Sequence, residues 1–312
     1  WIALHSLFRR GERFGNYVDC YIEKVRPRLV VTFVDNNGYF YTISKKYPKI
    51  KTLFIQNGWR TYDLYIFETL DESVRNKFYV DYMLVFGECV GAYFKKVVGG
   101  GEAITMGSIV NNTVPKECRS QPGVLAFVSQ WEPTEFYIGS PKDKFYAHEV
   151  IYEKPDRITL ESLVSYAEKK NKRFMIIPRF RKGSDCRMTE KGYYRDLLGS
   201  EPEYLELEKP NSSYHAVDTA EVTVALDSTL VYESIARGNK TAIFSIRGTL
   251  VEIPGWDYGS PGDFPDEGLF WTNNADPESF VRILDYLFKV DDEQWKKDVE
   301  ATNFSSVMAY DP

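Results

Sequence analysis

A polar break between apolar stretches, centred on Asp227, is the feature that most constrains this chain. Residues 222–226 are largely apolar, residues 230–237 have helical spacing, and residues 241–244 are largely apolar again after a glycine-containing stop. This order predicts a strand, a helix and a second, parallel strand. The break then lies at the carboxyl end of the first strand and the amino end of the helix. Open α/β sheets bind ligands there, because free backbone N–H groups and the positive end of the helix dipole face the crevice.

The break carries Asp227, Ser228 and Thr229, and it has two interpretations. Hydroxyl groups at a helix start can donate to a phosphate, which favours a phosphate site at Ser228 and Thr229. Short polar side chains also cap helices, so Asp227 and Ser228 can equally be N-cap residues. The pattern alone leaves both interpretations open.

Composition fits a globular protein of two domains. The chain has 312 residues, of which 43% are hydrophobic, so it can bury two cores. Its net charge of −6 argues against a nucleic-acid-binding protein. No apolar run reaches the roughly 18 residues that a membrane span requires.

Metal-binding spacing is missing from the sequence. The four cysteines (Cys20, Cys89, Cys118, Cys186) are scattered without a CxxC pair, so we expect free thiols. The three histidines form no cluster, and no Asp-x-Asp motif occurs. We therefore expect no metal site.

Strands and helices alternate along the whole chain. In the first part, the continuous β-branched run at 29–34 predicts a strand buried on both faces. Further strands are predicted at 51–55, 81–86, 103–106, 124–128, 173–177 and 204–207. Helical spacing appears between them, at 17–25, 39–46, 89–97, 159–170, 192–198 and 213–220, and again at 277–288 and 291–301. This alternation predicts doubly wound parallel sheets.

The predicted architecture is α/β, with two Rossmann-like domains at residues 1–118 and 119–312. The segment 134–158 is rich in aromatic and charged residues without a clear period. We interpret it as an insertion.

Cationic side chains follow two of the predicted strands in the second domain. Arg179, Arg181 and Lys182 follow one strand, and Arg247 follows another. Guanidinium groups bind phosphate and carboxylate through paired hydrogen bonds, so this placement favours an anion site. The alternative is an exposed basic loop, since Arg and Lys ordinarily lie at the surface.

Acidic and amide side chains follow strands of the first domain in the same way. Asp35 and Asn36 follow its first strand, and Gln56 and Asn57 follow its second. Such groups can orient a hydroxyl-rich ligand, but the same residue types also form turns and cap helices.

Seven sequence blocks, in order, resemble a family of bacterial surface-carbohydrate biosynthesis proteins. They lie at residues 31–37, 54–60, 85–88, 106–112, 226–238, 244–248 and 268–273, and together they span most of the chain. This family in turn is similar to GT-B glycosyltransferases that move β-Kdo, a 3-deoxy-ulosonic acid, from CMP-Kdo onto surface glycans. One departure is Ile177-Pro178-Arg179, where related CMP-sugar transferases often have a His-Pro pair.

The resemblance implies a role for each domain and for each group of site residues. Residues 119–312 would bind the nucleotide sugar, and residues 1–118 would face the acceptor. Asp227 would be the nucleophile of a retaining, metal-independent transfer, with Glu132 or Glu233 as the acid/base. The donor's phosphate would be bound by Ser228, Thr229, Arg179, Arg181, Lys182 and Arg247. Sugar or acceptor would be bound by Asp35, Asn36, Gln56, Asn57 and His215.

The expected ligands are therefore a CMP-activated sugar as donor substrate and a glycan acceptor, with no further cofactor. We expect a cytoplasmic protein, possible contact with the inner membrane, and association with further domains or with membrane assembly machinery.

Two other functions share these features. A nucleotide-sugar 2-epimerase of the same fold would need acid/base carboxylates and a histidine, for which His215 is the candidate in the second domain. A glycan-binding module without catalytic activity would keep the fold and not depend on Asp227.

Overall fold

The structure, a computed structural model, describes residues 13–59, 67, 69–116, 120–136, 148–252 and 255–312. The chain divides after Thr105 into two compact units. The predicted boundary at residue 118 lies outside the described residues, and residues from Met106 onward belong to the second unit. Each unit contains a parallel sheet, so the predicted α/β architecture is confirmed.

The first unit is a four-stranded parallel sheet with helices between its strands. Its elements are α1 (Arg13–Val25), β1 (Leu29–Thr32), α2 (Ile43–Lys46), β2 (Lys51–Ile55), α3 (Glu72–Arg75), β3 (Val80–Val85), α4 (Glu88–Val98) and β4 (Gly100–Thr105). The strands lie in chain order, β1-β2-β3-β4, so the described part of this sheet contains no reversal. Its core is aromatic: the fully buried Tyr41 ring contacts Phe54, Phe67 and Phe78.

The prediction that β1 is buried on both faces was wrong. Leu29 and Val31 are 45% and 46% exposed. Among the described strands β1 pairs only with β2, so it lies at an edge that is less covered than a central strand. A β-branched run therefore predicted the strand correctly but not its burial.

The second unit contains a six-stranded parallel sheet. Its strands are β5 (Gln121–Val128), β6 (Arg173–Ile177), β7 (Glu203–Tyr204), β8 (Ala220–Ala225), β9 (Thr241–Phe244) and β10 (Trp271–Thr272), and they lie in the order β10-β9-β8-β5-β6-β7. Its helices are α5 (Ile109–Thr113), α6 (Lys154–Lys170), α7 (Asp185–Leu198), α8 (Ser212–Thr219), α9 (Thr229–Ala236), α10 (Arg247–Val251), α11 (Pro277–Lys289) and α12 (Asp292–Ala301). The strand order reverses between β5 and β8, which is where doubly wound sheets bind ligands.

The predicted insertion at 134–158 was partly wrong. A five-residue π-helix, Glu149–Glu153, leads directly into α6, which therefore begins before the predicted start at residue 159. Residues 137–147 lie outside the described part. No described helix is long and apolar enough to cross a membrane.

A buried ion pair fixes residues 111–115 within the second unit. The Arg237 guanidinium pairs with Asp218, at 2.6 Å between Nη2 and Oδ2, and both side chains are fully buried. The same guanidinium donates to the backbone carbonyls of Asn111, Val114 and Pro115. One arginine thus satisfies several buried acceptors at once, which explains why this stretch folds with the second unit.

Replacement of Arg237 by Met should destabilise the second unit by about 3–5 kcal/mol, because it leaves the Asp218 carboxylate buried without its partner. Urea unfolding followed by tryptophan fluorescence measures this, since four of the six tryptophans lie after residue 106. Exposed Arg195 is the matched control, and Arg195→Met should unfold like the wild type. Equal midpoints for the two variants would contradict the assigned role of Arg237.

Candidate functional site

Four strand ends bring polar side chains to one edge of the second sheet. Gln130 follows β5, Arg179 follows β6, Asp227 follows β8 and Arg247 follows β9. Because all of these strands are parallel, their carboxyl ends lie at the same edge. The reversal between β5 and β8 places Gln130 and Asp227 side by side.

Asp227 is fixed by two side chains. Its Oδ1 accepts hydrogen bonds from Arg247 Nη1 at 2.5 Å and from Gln130 Nε2 at 2.7 Å. The Gln130 carboxamide also accepts from the Asp227 backbone N–H at 3.2 Å. The Asp227 side chain is 7% exposed, and Oδ2 has no hydrogen-bond partner among the described residues. The carboxylate is therefore held through one oxygen.

The helix cap is made by Ser228 and not by Asp227. Ser228 is the N-cap residue of α9, and its Oγ accepts from Leu230 N at 3.3 Å. Thr229 is the first residue of that helix. Of the two interpretations of this break, capping therefore applies to Ser228, while the Asp227 carboxylate makes contacts that capping does not require.

Arg247 is almost completely buried, at 3% exposure. Its Nε donates to the Ile151 carbonyl at 2.8 Å, its Nη2 lies 4.0 Å from Asp156 Oδ1, and its guanidinium covers the Tyr152 ring at 5.0 Å. Burial disfavours the guanidinium charge, but Asp227 and Asp156 outweigh this effect and raise the pKa of Arg247. The group predicted to clamp an anion from outside is thus already paired with carboxylates of the protein.

Asp156 is the main residue that sequence reasoning missed. It lies in the first turn of α6, is fully buried, and accepts from Tyr193 OH at 3.1 Å. Burial raises the pKa of Asp156 to about 7, against the opposing charge of Arg247. The sequence around Asp156 shows no helical period, so it did not indicate that this carboxyl group is buried beside Arg247.

Glu132 and Arg179 form an ion pair beside this cluster. The Arg179 guanidinium also donates to the Gln130 carbonyl at 3.1 Å, and its side chain is 42% exposed. Buried Glu190 on α7 accepts from Arg179 N at 2.8 Å and from Ser129 Oγ at 2.5 Å. Glu190 therefore ties the ends of β5 and β6 together beneath the exposed pair.

His148 is a second residue that the sequence did not single out. Its ring lies among aromatic rings, stacked on Tyr152 and edge-on to Trp131 and Tyr193. Burial lowers the pKa of His148, against the opposing charge of Glu153. Tyr152 also donates to Glu132 at 3.5 Å, so His148 belongs to the same group of side chains as Glu132.

Other predicted residues of the second unit lie outside this cluster. Glu233 is buried on α9 and accepts from Tyr214 OH at 3.0 Å; burial raises its pKa to about 7. Lys182 pairs with Glu208 at 3.5 Å, and Arg181 is exposed. His215 lines a separate cavity of about 250 Å³ with Glu206, Lys209 and Ser212. No hydrogen bond or ion pair joins any of these predicted residues to Asp227 in the described part of the chain.

In the first unit, the predicted polar residues lie at the ends of β1 and β2. Asp35 is buried, and its backbone carbonyl accepts from Tyr41 OH. Gln56 is buried and bridges two strand ends, since its Oε1 accepts from Phe86 N at 2.8 Å and its Nε2 donates to the Gly58 carbonyl. Asn36 and Asn57 are exposed. Gln56 therefore has a structural role, whatever else it binds.

Within the described ranges, no group of three or more His, Cys, Asp or Glu side chains is placed to hold a metal ion.

Comparison with known proteins gives a family and a fold. The sequence profile of a family described as "putative O-antigen biosynthesis protein" matches residues 53–312, and the chain belongs to this family. This membership confirms the predicted link to surface-carbohydrate biosynthesis. No curated protein matches the chain.

Two solved structures are similar in fold. One is the UDP-GlcNAc 2-epimerase of Methanocaldococcus jannaschii in complex with UDP-GlcNAc and UDP, at 11% identity and a TM-score of 0.53, covering 94% of this chain and 80% of that one. The other is the UDP-GlcNAc 2-epimerase of Neisseria meningitidis bound to UDP-GlcNAc, at 13% identity and a TM-score of 0.51, covering 95% and 77%. At these identities the similarity shows the fold alone.

The raised pKa of Asp156 predicts a pH-dependent stability. The unfolded carboxyl ionises near 3.8 and the folded one near 7, so its contribution is full below 3.8 and is lost as the pH rises to about 7. Asp156→Asn removes this titration. The melting temperature of the variant minus that of the wild type should therefore increase between these two pH values and stay constant above them. Thermal unfolding of both proteins across this interval measures the difference, and a constant difference would contradict the assignment.

Proposed function

We propose that this protein is a glycosyltransferase of bacterial surface-polysaccharide synthesis that uses a CMP-activated ulosonic acid, with Asp227 as the nucleophile. The observation that carries the proposal is the Asp227 carboxylate at the switch point of the sheet. It is held through Oδ1 by Arg247 and Gln130, and its Oδ2 has no partner among the described residues. Family membership supports the class of pathway, and the resemblance of the sequence blocks supplies the donor.

The reaction proceeds in two displacements. Asp227 Oδ2 forms a bond to the anomeric carbon while the bond from that carbon to the phosphate oxygen breaks, and CMP leaves with the electron pair. An acceptor hydroxyl then attacks the same carbon from the opposite face, releases Asp227 and gives up its proton to a base. Two inversions retain the configuration.

Glu132 is the better of the two predicted bases. It is 25% exposed and lies at the strand edge with Arg179, whereas Glu233 is buried against Tyr214. The proton of the acceptor hydroxyl would pass to the Glu132 carboxylate. Arg179 orients Glu132 and remains available to an anion, because its guanidinium is partly exposed.

The leaving phosphate is assigned to the start of α9. The Ser228 and Thr229 hydroxyls supply donors, the positive end of the α9 dipole lies beside them, and Arg179 supplies a charge. No metal ion takes part in this mechanism.

Asp227→Asn should lower turnover by several orders of magnitude and preserve the fold, because an amide cannot form the glycosyl intermediate. Turnover is measured with CMP-Kdo and a surface-glycan acceptor, and the fold by circular dichroism. Asp276→Asn is the matched control, since Asp276 is a true N-cap residue in the same unit; it should keep wild-type turnover. A variant at position 227 with nearly full activity would refute the nucleophile.

Donor binding should depend on the start of α9. Ser228→Ala combined with Thr229→Val should weaken CMP-sugar binding by about 1.5–3 kcal/mol, the usual range for hydrogen bonds to charged groups. Arg179→Lys should restore only part of what Arg179→Ala loses, because the paired guanidinium geometry is absent. Calorimetric titration with CMP-Kdo measures these affinities, and unchanged values would exclude this phosphate site.

A second candidate is a nucleotide-sugar 2-epimerase. The observation in its favour is His148, which lies with Glu132 and Tyr152 and supplies the histidine that such chemistry needs. His215, the histidine expected from the sequence, lies in a separate cavity.

Incubation of the protein with UDP-GlcNAc in deuterated water separates the two enzymes. An epimerase that removes and returns the C2 proton incorporates deuterium at C2, which proton NMR detects, and His148→Asn should slow that exchange. The transferase proposal predicts no incorporation and a rise in melting temperature with CMP-Kdo rather than with UDP-GlcNAc. If neither nucleotide sugar is turned over or raises the melting temperature, the protein is a module without this catalytic activity.

A further inference from the structure

The first unit has a basic cavity at the amino ends of β1 and β2. It measures about 640 Å³ and is lined by Ile22, Glu23, Arg26, Pro27, Arg28, Lys46, Tyr47, Pro48, Lys49 and Ile50. Four of these ten residues are cationic and one is acidic. Within this unit the cavity lies at the opposite end of the sheet from Asp35 and Gln56, so it is separate from the residues predicted to bind sugar.

Most of this charge is not neutralised by the protein. Arg26, Arg28 and Lys49 are exposed and form no ion pair with another described residue. The fourth cation, Lys46, forms an ion pair with Asp19. The chain as a whole has a net charge of −6, so the concentration of cations here is local and opposite in sign to the rest of the molecule.

The outer face of α1 adds exposed aromatic and aliphatic surface that leads to the cavity. Tyr17, Tyr21 and Val25 are 45%, 48% and 50% exposed and recur at a four-residue spacing, so they share one face of the helix. Val25 directly precedes Arg26. Aromatic rings beside Lys and Arg are typical of surfaces that lie on a lipid bilayer, where the rings reach the headgroup region and the cations attract anionic lipids.

Arg26 has a backbone conformation that its side chain does not favour. Its φ is 52°, in the left-handed region where helices usually place glycine. Its N–H donates to the Ile22 carbonyl at 2.8 Å, which closes α1. An Arg kept at this position, where Gly would be less strained, indicates that the Arg26 side chain has a role.

We propose that the first unit docks on the surface of an anionic lipid membrane through this cavity and the adjoining face of α1. The cavity accepts lipid phosphate between Arg26, Arg28 and Lys49, and Tyr21 and Val25 contact the headgroup and upper acyl region. The interaction does not depend on the proposed chemistry at Asp227.

Co-sedimentation of the full chain with vesicles tests this docking. The protein should bind vesicles that contain phosphatidylglycerol, bind pure phosphatidylcholine weakly, and dissociate as the salt concentration rises. Each lost cation near such a surface costs about fivefold in affinity, so Arg26→Gln with Arg28→Gln and Lys49→Gln should lose on the order of a hundredfold.

The matched control removes the same charge from exposed lysines of the second unit (Lys169→Gln, Lys289→Gln, Lys296→Gln) and should bind like the wild type. Equal losses in the two triple variants, or equal binding to both vesicle types, would overturn the proposal.

Two further variants separate docking from effects on folding and from binding of free phosphate. Arg26→Gly should keep or raise the melting temperature, because glycine favours this φ, yet bind vesicles about fivefold more weakly. Tyr17→Ser with Tyr21→Ser should weaken vesicle binding without changing its salt dependence. If glycerol phosphate in solution binds with the same dependence on Arg26, Arg28 and Lys49 while vesicles do not bind, the cavity is a site for a small anion and the docking surface is refuted.

Discussion

The site of the second unit depends on the ion pair between Asp227 and Arg247. A guanidinium that is 3% exposed is costly to bury unless its charge and its N–H groups are matched. Here Asp227, the more distant Asp156 and the Ile151 carbonyl provide that match. These contacts also bind the segment before α6 to the ends of β8 and β9. Loss of the Arg247 side chain would therefore disturb the position of three elements as well as one charge.

At this centre one guanidinium, that of Arg247, faces two carboxyl groups, those of Asp227 and Asp156. Asp156 is fully buried and has a pKa near 7, so it can hold a proton at neutral pH. Burial is the main cause of that raised pKa, and the nearby Asp227 charge adds to it. A pair of carboxyl groups with different environments is a common arrangement in enzymes that act on glycosidic bonds.

Much of this arrangement followed from the sequence, because parallel strands place their carboxyl ends at one edge. Asp227, Ser228, Arg179 and Arg247 were expected there on that ground alone, and β6 and β9 have the predicted bounds. The sequence could not decide whether Asp227 or Ser228 caps α9, since both residue types serve equally well. Asp156 and His148 were missed because the sequence 134–158 shows no helical period, although its last residues are helical. Burial of β1 was overestimated because β-branched residues also suit an edge strand.

The proposed covalent intermediate is tested most directly by the intact mass of the protein after incubation with CMP-Kdo in the absence of an acceptor. A nucleophilic Asp227 predicts a mass increase of one sugar residue, located by peptide mapping to residues 220–238 and absent from Asp227→Asn. An unmodified protein, together with a transfer product of inverted configuration by NMR, would show that Asp227 forms no covalent intermediate and would contradict the mechanism.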